Sequence, residues 1–116
     1  MAKNYVQEGK VIPFTAGATI VSGQVVVVGS LAGISQGDVA NGAVGQLALE
    51  GVYEIPAATA EITVGAKVYW DADGDPVGGT AGSGAATATA TDNTLIGYAI
   101  AAKAAAGAKV KVKLDR

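Results

Sequence analysis

The 116-residue chain contains neither cysteine nor histidine, and these two absences exclude several kinds of chemistry. Without cysteine the chain has no disulfide bond, no thiolate metal site and no thiol nucleophile. Without histidine it lacks the usual general base and the commonest ligand of transition metals. A serine or threonine nucleophile would need a lysine base, and no serine here lies in a supporting motif. We therefore expect a protein that is not an enzyme, with no cofactor and no small-molecule substrate.

A basic excess and long apolar runs are also missing. Eight lysine and arginine residues stand against ten acidic residues, for a formal net charge of −2. Binding to a phosphate backbone needs a clear basic excess, so nucleic acid is not expected as the main partner. No apolar run approaches the roughly 20 residues of a membrane-spanning helix, and the first ten residues lack the apolar core of a signal peptide. We expect a soluble protein that is made and kept inside a cell, or is assembled there, with no membrane partner.

The chain is instead rich in short β-type runs separated by glycines. Half of the residues are hydrophobic and 17 are glycine. In the stretch from Gly65 to Asp75, a strand would place Trp70 on an apolar face and Lys67 and Tyr69 on the other. The only tryptophan is thus expected to pack in a core or an interface rather than to stack on a ligand. The predicted fold is all-β: a small single-domain β-barrel or β-sandwich over residues 11–116, with glycine-rich loops and an extended N-terminal arm, residues 1–10.

Two strand predictions concern the first half of the chain. The run Val25–Val28, bounded by glycines, predicts a strand buried on both faces. Residues 31–34 are its candidate hairpin partner across Gly29 and Ser30. Residues 46–55 predict one long strand bent at Gly51 and ended by Pro56.

The second half contains the clearest alternation. Residues 85–91 alternate threonine and alanine and predict a thin strand, while residues 94–102 predict either a strand or, from residue 97, an alanine-rich helix. Residues 109–114 alternate lysine with an apolar residue and predict a strand with one lysine face. That lysine stripe is typical of a solvated face that guards a sheet edge, or else of a contact to an acidic partner.

A pattern of alanine, glycine and two further β-type residues occurs three times. The copies begin at Ala18, Ala60 and Ala102, 42 residues apart, and each places a turn glycine before a strand. The pattern could reflect an internal repeat, but the intervening residues align poorly and a chain rich in alanine, glycine and valine produces such matches by chance, so chance is the preferred interpretation.

Two motifs resemble known ligand loops but lack essential residues. Residues 79–84 are glycine-rich, yet the lysine of a nucleotide P-loop does not follow, so a surface loop is the better interpretation. Asp71, Asp73 and Asp75 resemble the start of a calcium loop. However, Pro76 stands where that loop needs glycine, and Gly82 stands where it needs a bidentate acid. An acidic turn between strands is expected, with a weak Ca²⁺ site as the alternative. Turns are also predicted at residues 41–42 and 92–93.

An ordered set of short segments carries a resemblance to a known family. The chain resembles small phage head proteins described as capsid cement or decoration proteins, some of which bear the label of predicted recombinases. The segments are Asn4–Gly9, Ser22–Val26, Gly51–Glu54, Gly65–Asp71, Ile96–Ala99 and Val110–Leu114. The recombinase label has no support here, because the nucleotide loop that it requires is missing.

The resemblance implies an all-β module, often a homotrimer, on the outside of a phage head. Such a protein binds the major capsid protein where subunits meet and braces the shell against packaged DNA; it is a virion component assembled in the host cytoplasm. We expect residues 1–10 to add a strand to a capsid sheet edge, the alternative being a frayed terminus. The residues predicted to make this contact are Lys3, Asn4, Tyr5, Val6 and Gln7. The competing hypothesis is a β-rich tail or fibre module that recognises a surface glycan through exposed aromatic side chains.

Overall fold

The structure is a computed structural model that describes residues 11–114. In this range the chain forms strands and turns without a helix, so the all-β prediction is confirmed. No helix there could cross a bilayer. The strands are β1 (Val11–Thr15), β2 (Val25–Val28), β3 (Leu31–Ser35), β4 (Val44–Ala48), β5 (Val52–Pro56), β6 (Lys67–Asp71), β7 (Ala85–Thr87), β8 (Thr94–Ala99) and β9 (Lys109–Leu114).

The strands form two antiparallel sheets. The first sheet has the order β1-β4-β3-β2 and the second has the order β5-β9-β8-β6-β7. One cluster of buried side chains fills the space between the sheets and combines Val25, Ile34 and Ala48 of the first sheet with residues such as Val68 and Val112 of the second. A smaller cluster around Leu47 lies on the other face of the first sheet.

The hairpin prediction for β2 is confirmed, but the prediction that β2 is buried on both faces is wrong. Residues 25–28 pair with residues 34–31 across the predicted turn. Only Val25 is buried, while Val27 and Val28 are 38% and 44% exposed. The physical reason is that β2 is the last strand of its sheet, so less of the protein packs against it. A run of four valines predicts a strand but does not predict which of its side chains other segments cover.

The single strand predicted over residues 46–55 is in fact two strands in different sheets. β4 ends at Ala48 and β5 begins at Val52. Between them Gly51 has a φ of 111°, in the left-handed region that glycine adopts without strain. The predicted bend is therefore a complete change of sheet, and Pro56 ends β5 as expected.

The two open predictions for residues 85–102 resolve as strands. Residues 94–99 form β8 rather than a helix, and the threonine–alanine run contributes the three-residue β7. The predicted turns are present as well: Gly42 has a φ of 85° and Asp92 a φ of 60°.

The alternation of β9 is confirmed, but its expected place at a sheet edge is wrong. Val110, Val112 and Leu114 are buried and the three intervening lysines are exposed. β9 lies between β5 and β8, so it is an interior strand whose ladder is paired on both sides. The lysines therefore solvate a sheet face and guard no edge.

The two sheets are built from one repeated four-stranded unit. β1, β2, β3 and β4 correspond in order and direction to β5, β6, β8 and β9. Most of the register agrees: Val11↔Ala48 matches Val52↔Lys113, Val25↔Ile34 matches Lys67↔Tyr98, and Ile34↔Ala48 matches Tyr98↔Lys113. The units differ beyond Val68, where a β-bulge pairs Tyr69 with Leu95 instead of Ile96. The strand β7 has no counterpart in the first unit.

The loops of the two units repeat their hydrogen bonds too. Ile20 and Val39 exchange both backbone hydrogen bonds (2.8 and 2.9 Å), and Ile62 and Lys103 do the same (3.0 and 2.8 Å). Each bridge is followed by a turn that leads into a strand. The copies at Ala18 and Ala60 are therefore true equivalents, and the interpretation of this pair as a chance match is wrong. The third copy precedes β9, which corresponds to β4, so only its turn-and-strand pattern is shared.

Candidate binding surfaces

The residues predicted to contact the capsid, Lys3, Asn4, Tyr5, Val6 and Gln7, lie outside the described residues. What the structure does show is the strand that follows them. β1 begins at Val11 and is an edge strand of the first sheet, because it pairs with β4 alone within residues 11–114. The surfaces described below are those that residues 11–114 present in addition.

A cationic surface covers the outer face of the second sheet, and we call it the lysine face. It consists of Lys67, Lys109, Lys111 and Lys113, all of them exposed. Cross-strand register places Tyr98 between Lys67 and Lys113 and places Glu54 opposite Lys111. Lys103 is the only other described lysine, so every exposed lysine of residues 11–114 lies on this face.

Lys103 is buried and braces two loops of the second unit. Its side chain is 4% exposed, and its Nζ donates to the carbonyl oxygens of Ala60 (2.6 Å), Ala104 (2.8 Å) and Ala105 (3.3 Å). Burial lowers the pKa of Lys103 below its ordinary value. Its counterpart in the first unit is the apolar Val39. No sequence pattern around Lys103 distinguishes this buried lysine from the exposed ones.

Two of the three carboxylates at the acidic turn, those of Asp71 and Asp75, accept local backbone hydrogen bonds. Asp71 Oδ1 accepts from the backbone N–H of Asp73 (3.1 Å), and Asp75 Oδ1 accepts from the backbone N–H of Gly82 (2.7 Å). Among residues 11–114, no three acidic side chains come together in a group that could hold a metal ion. The arrangement fits the predicted acidic turn.

The glycine-rich loop is exposed over residues 78–83 and returns to the core at Gly84. A Cβ atom at Gly84 would lie 2.6 Å from Trp70 Cζ2, so the indole ring requires glycine there. Trp70 is 9% exposed and belongs to the main buried cluster, which confirms its predicted packing role.

A groove of about 510 Å³ runs beside the outer edge of β2, and we call it the β2 groove. Its walls come from three distant parts of the chain. One wall is β2 itself, a second is the loop at Gly17 and Ala18, and the third contains Trp70 and Gly84. Sequence reasoning missed this groove, because no local pattern shows that these segments meet.

The described chain is thus a two-unit all-β module with a cationic face and a groove beside an open strand edge. Comparison with known families gives its membership: the chain belongs to the phage cement protein family, whose model matches residues 6–114. This confirms the resemblance found in the sequence. Comparisons with curated proteins and with solved structures gave no match.

Proposed function

We propose that this protein binds the outside of a phage head and stabilises the shell. The observation that carries the proposal is the family match, which spans nearly the whole chain. The fold is compatible with such a role, because a clamp needs a stable core and binding surfaces but no catalytic centre. The proposed location is the exterior of the capsid, reached by assembly in the host cytoplasm.

The proposed partner is the major capsid protein, contacted through residues 3–7 as an added strand. An extended segment that joins a sheet edge gains main-chain hydrogen bonds. In the sequence, residues 3–7 precede the edge strand β1. A homotrimer would bring three such contacts to one site. Linked contacts raise the overall avidity well above that of one contact, so each of them can be weak.

The glycan-binding alternative finds less support in the described residues. A glycan platform needs exposed aromatic rings, and the five aromatic side chains of residues 11–114 are buried or half-buried. They are Phe14, Tyr53, Tyr69, Trp70 and Tyr98.

Quantitative mass spectrometry of purified heads tests the proposal. A cement protein is expected at a copy number close to that of the major capsid protein, whereas a tail component would be present in a handful of copies. Complete absence from purified particles would refute the proposal.

Deleting residues 1–10 tests the proposed contact. The truncated protein should keep its thermal unfolding transition but lose binding to heads that lack the native protein. Binding equal to that of the full chain would show that residues 3–7 are not the contact.

A further inference from the structure

We propose that the β2 groove accepts an extended segment of another protein, which joins the first sheet as an additional strand beside β2. The source of that segment rests on the proposed function: it is a protein of the phage shell. The proposal adds a second contact, because residues 3–7 precede β1 at the opposite edge of the same sheet.

The outer edge of β2 has main-chain groups available for pairing. In an antiparallel ladder, residues that bond to the partner strand alternate with residues whose N–H and C=O groups point away. The backbone N–H of Ser35 donates to the carbonyl oxygen of Gln24 (2.9 Å), so Gln24 points towards β3. By alternation, Val25 and Val27 direct their main-chain groups outward, and within residues 11–114 β2 pairs with β3 alone.

The second unit shows which element lies beside the equivalent strand edge when that edge is paired. β6 is the counterpart of β2, and its outer edge is paired antiparallel with β7, at Tyr69↔Thr87 and Asp71↔Ala85. Tyr69 corresponds to Val27. The first unit has no such strand within the described residues, because β2 and β3 are joined directly by Gly29 and Ser30.

The β2 groove lies in the place that corresponds to that of β7. On its other side β7 contacts the chain after β5, where the backbone N–H of Ala58 donates to the carbonyl oxygen of Ala86 (3.0 Å). In the first unit Gly17 corresponds to Ala58, and it lines the wall of the groove that faces β2. The groove therefore has the two walls between which a short strand is held in the second unit.

The edge of β2 is short, but it has no lysine, proline or bulge that would protect it from strand addition. The strand is an uninterrupted run of four valines. Two of these valines, Val27 and Val28, are substantially exposed. An unprotected apolar edge next to a groove is a template for strand addition.

The residues that line the groove indicate which side chains a bound segment would have. β7 consists of two alanines and a threonine, and the groove has the small residues Gly17, Ala18 and Gly84 along its walls. We infer an occupant with small, uncharged side chains. Residues 1–10 of this chain carry two lysines, a tyrosine and a glutamate, which do not fit that description. This argues for a segment of a different protein.

The test measures binding of three variants to purified heads that lack the native protein. Val27→Lys introduces a positive charge at the side of the groove that β2 forms. Val27→Pro removes the backbone N–H that points into the groove, and this N–H makes no hydrogen bond to β3. Val44→Lys is the matched control, because Val44 is an exposed valine on the interior strand β4. Val27→Pro leaves one acceptor of the added strand without its donor, and Val27→Lys disfavours an uncharged strand, so each should weaken binding by roughly 10-fold, with no change for the control. Thermal unfolding must show that all three variants are folded.

Hydrogen exchange at the Val27 amide gives a direct second readout. This amide should exchange quickly in the free protein and become protected on heads. Equal binding of Val27→Lys and Val44→Lys would overturn the inference while leaving the proposed function standing. Failure of the unaltered protein to bind heads would overturn both.

Two further outcomes would replace the proposed occupant. If Val27→Lys changes the oligomeric state of the free protein in size-exclusion chromatography, a second copy fills the groove. If deleting residues 1–10 makes a protected Val27 amide exchange quickly in the free protein, the chain's own N-terminal segment fills it. Either result overturns the inference.

Discussion

Replacing Gly97 with alanine should destabilise the protein strongly, because the residue has no room for a side chain. Gly97 lies in β8, opposite Val68 on one side and Leu114 on the other. A Cβ atom there would collide with the carbonyl group of Lys113 and would lie 2.9 Å from Val112 Cγ1. The strand cannot move aside without breaking a ladder, since it is paired on both edges. Overpacking of this kind costs about 3 kcal/mol, near the upper end of the usual range.

Thermal or urea unfolding followed by circular dichroism measures this loss. For a domain of this size, about 3 kcal/mol corresponds to a melting temperature roughly 12 °C lower. Gly17→Ala is the control, because a Cβ atom there has no atom within 4 Å. The counterpart of Gly97 in the first unit is Gly33, whose Cβ would lie 2.5 Å from the carbonyl oxygen of Ala48, so Gly33→Ala should be similarly destabilising. If Gly97→Ala were as stable as Gly17→Ala, the pairing of β8 with β9 would be refuted.

Two further predictions concern lysines. Lys103→Met should lower the free energy of unfolding by about 2 kcal/mol, because three carbonyl oxygens lose a charged donor. Burial lowers the pKa of Lys103, so the unfolded chain holds this proton more tightly than the folded chain. The free energy of unfolding of the unaltered protein, compared with that of Lys103→Met, should therefore increase with pH between the lowered folded-state pKa and the ordinary lysine value. Urea titrations at several pH values measure this difference, and a difference that does not change with pH would contradict the prediction. If the lysine face contacts an acidic partner, Lys109→Gln with Lys111→Gln should weaken head binding and reduce its salt dependence, whereas unchanged binding would favour a purely solvated face.

The positions of the strands along the chain were largely predictable from the sequence. The order in which the strands pair within each sheet was not. The alternation over residues 109–114 predicted which side chains of β9 are buried, because burial on one face is encoded in period two. The same pattern contains no information on whether a strand lies at an edge, so β9 was wrongly expected at one. For β2 the error was the opposite: its valines predicted a strand buried on both faces, and the strand lies at an edge. Neighbours are set by pairing between distant segments.

The internal repeat was only partly visible for a related reason. The turn glycines Gly23 and Gly65 occupy equivalent positions and have φ values of 84° and 81°, which restricts the residue type. Equivalent strand positions have no such restriction. Val25 corresponds to Lys67 and Ile34 to Tyr98, so the similarity disappears from the sequence where the surroundings of the two units differ.

Candidate binding surfaces were predictable only where they are continuous in sequence. The lysine face depends mainly on β9, and its alternation showed it. The β2 groove is assembled from Gly17, Val27 and Trp70, which lie in three separate segments. Only the register of the strands brings these segments together.

The differences between the two units show which surfaces the molecule closes and which it leaves open. In the first unit, Val25, Ile34 and Ala48 form the face that is buried against the second sheet. Their counterparts in the second unit are Lys67, Tyr98 and Lys113, which face outward. A third unit cannot stack on a charged face as it can on an apolar one, so the lysine face ends the stack, as polar terminal units do in repeat proteins. The strand β7 likewise covers the outer edge of the second unit. β1 and its counterpart β5 are both edge strands, so within residues 11–114 the edges of the two units differ only at β2 and β6. The uncovered edge of β2 thus has no counterpart in the second unit, which is why we propose a contact there.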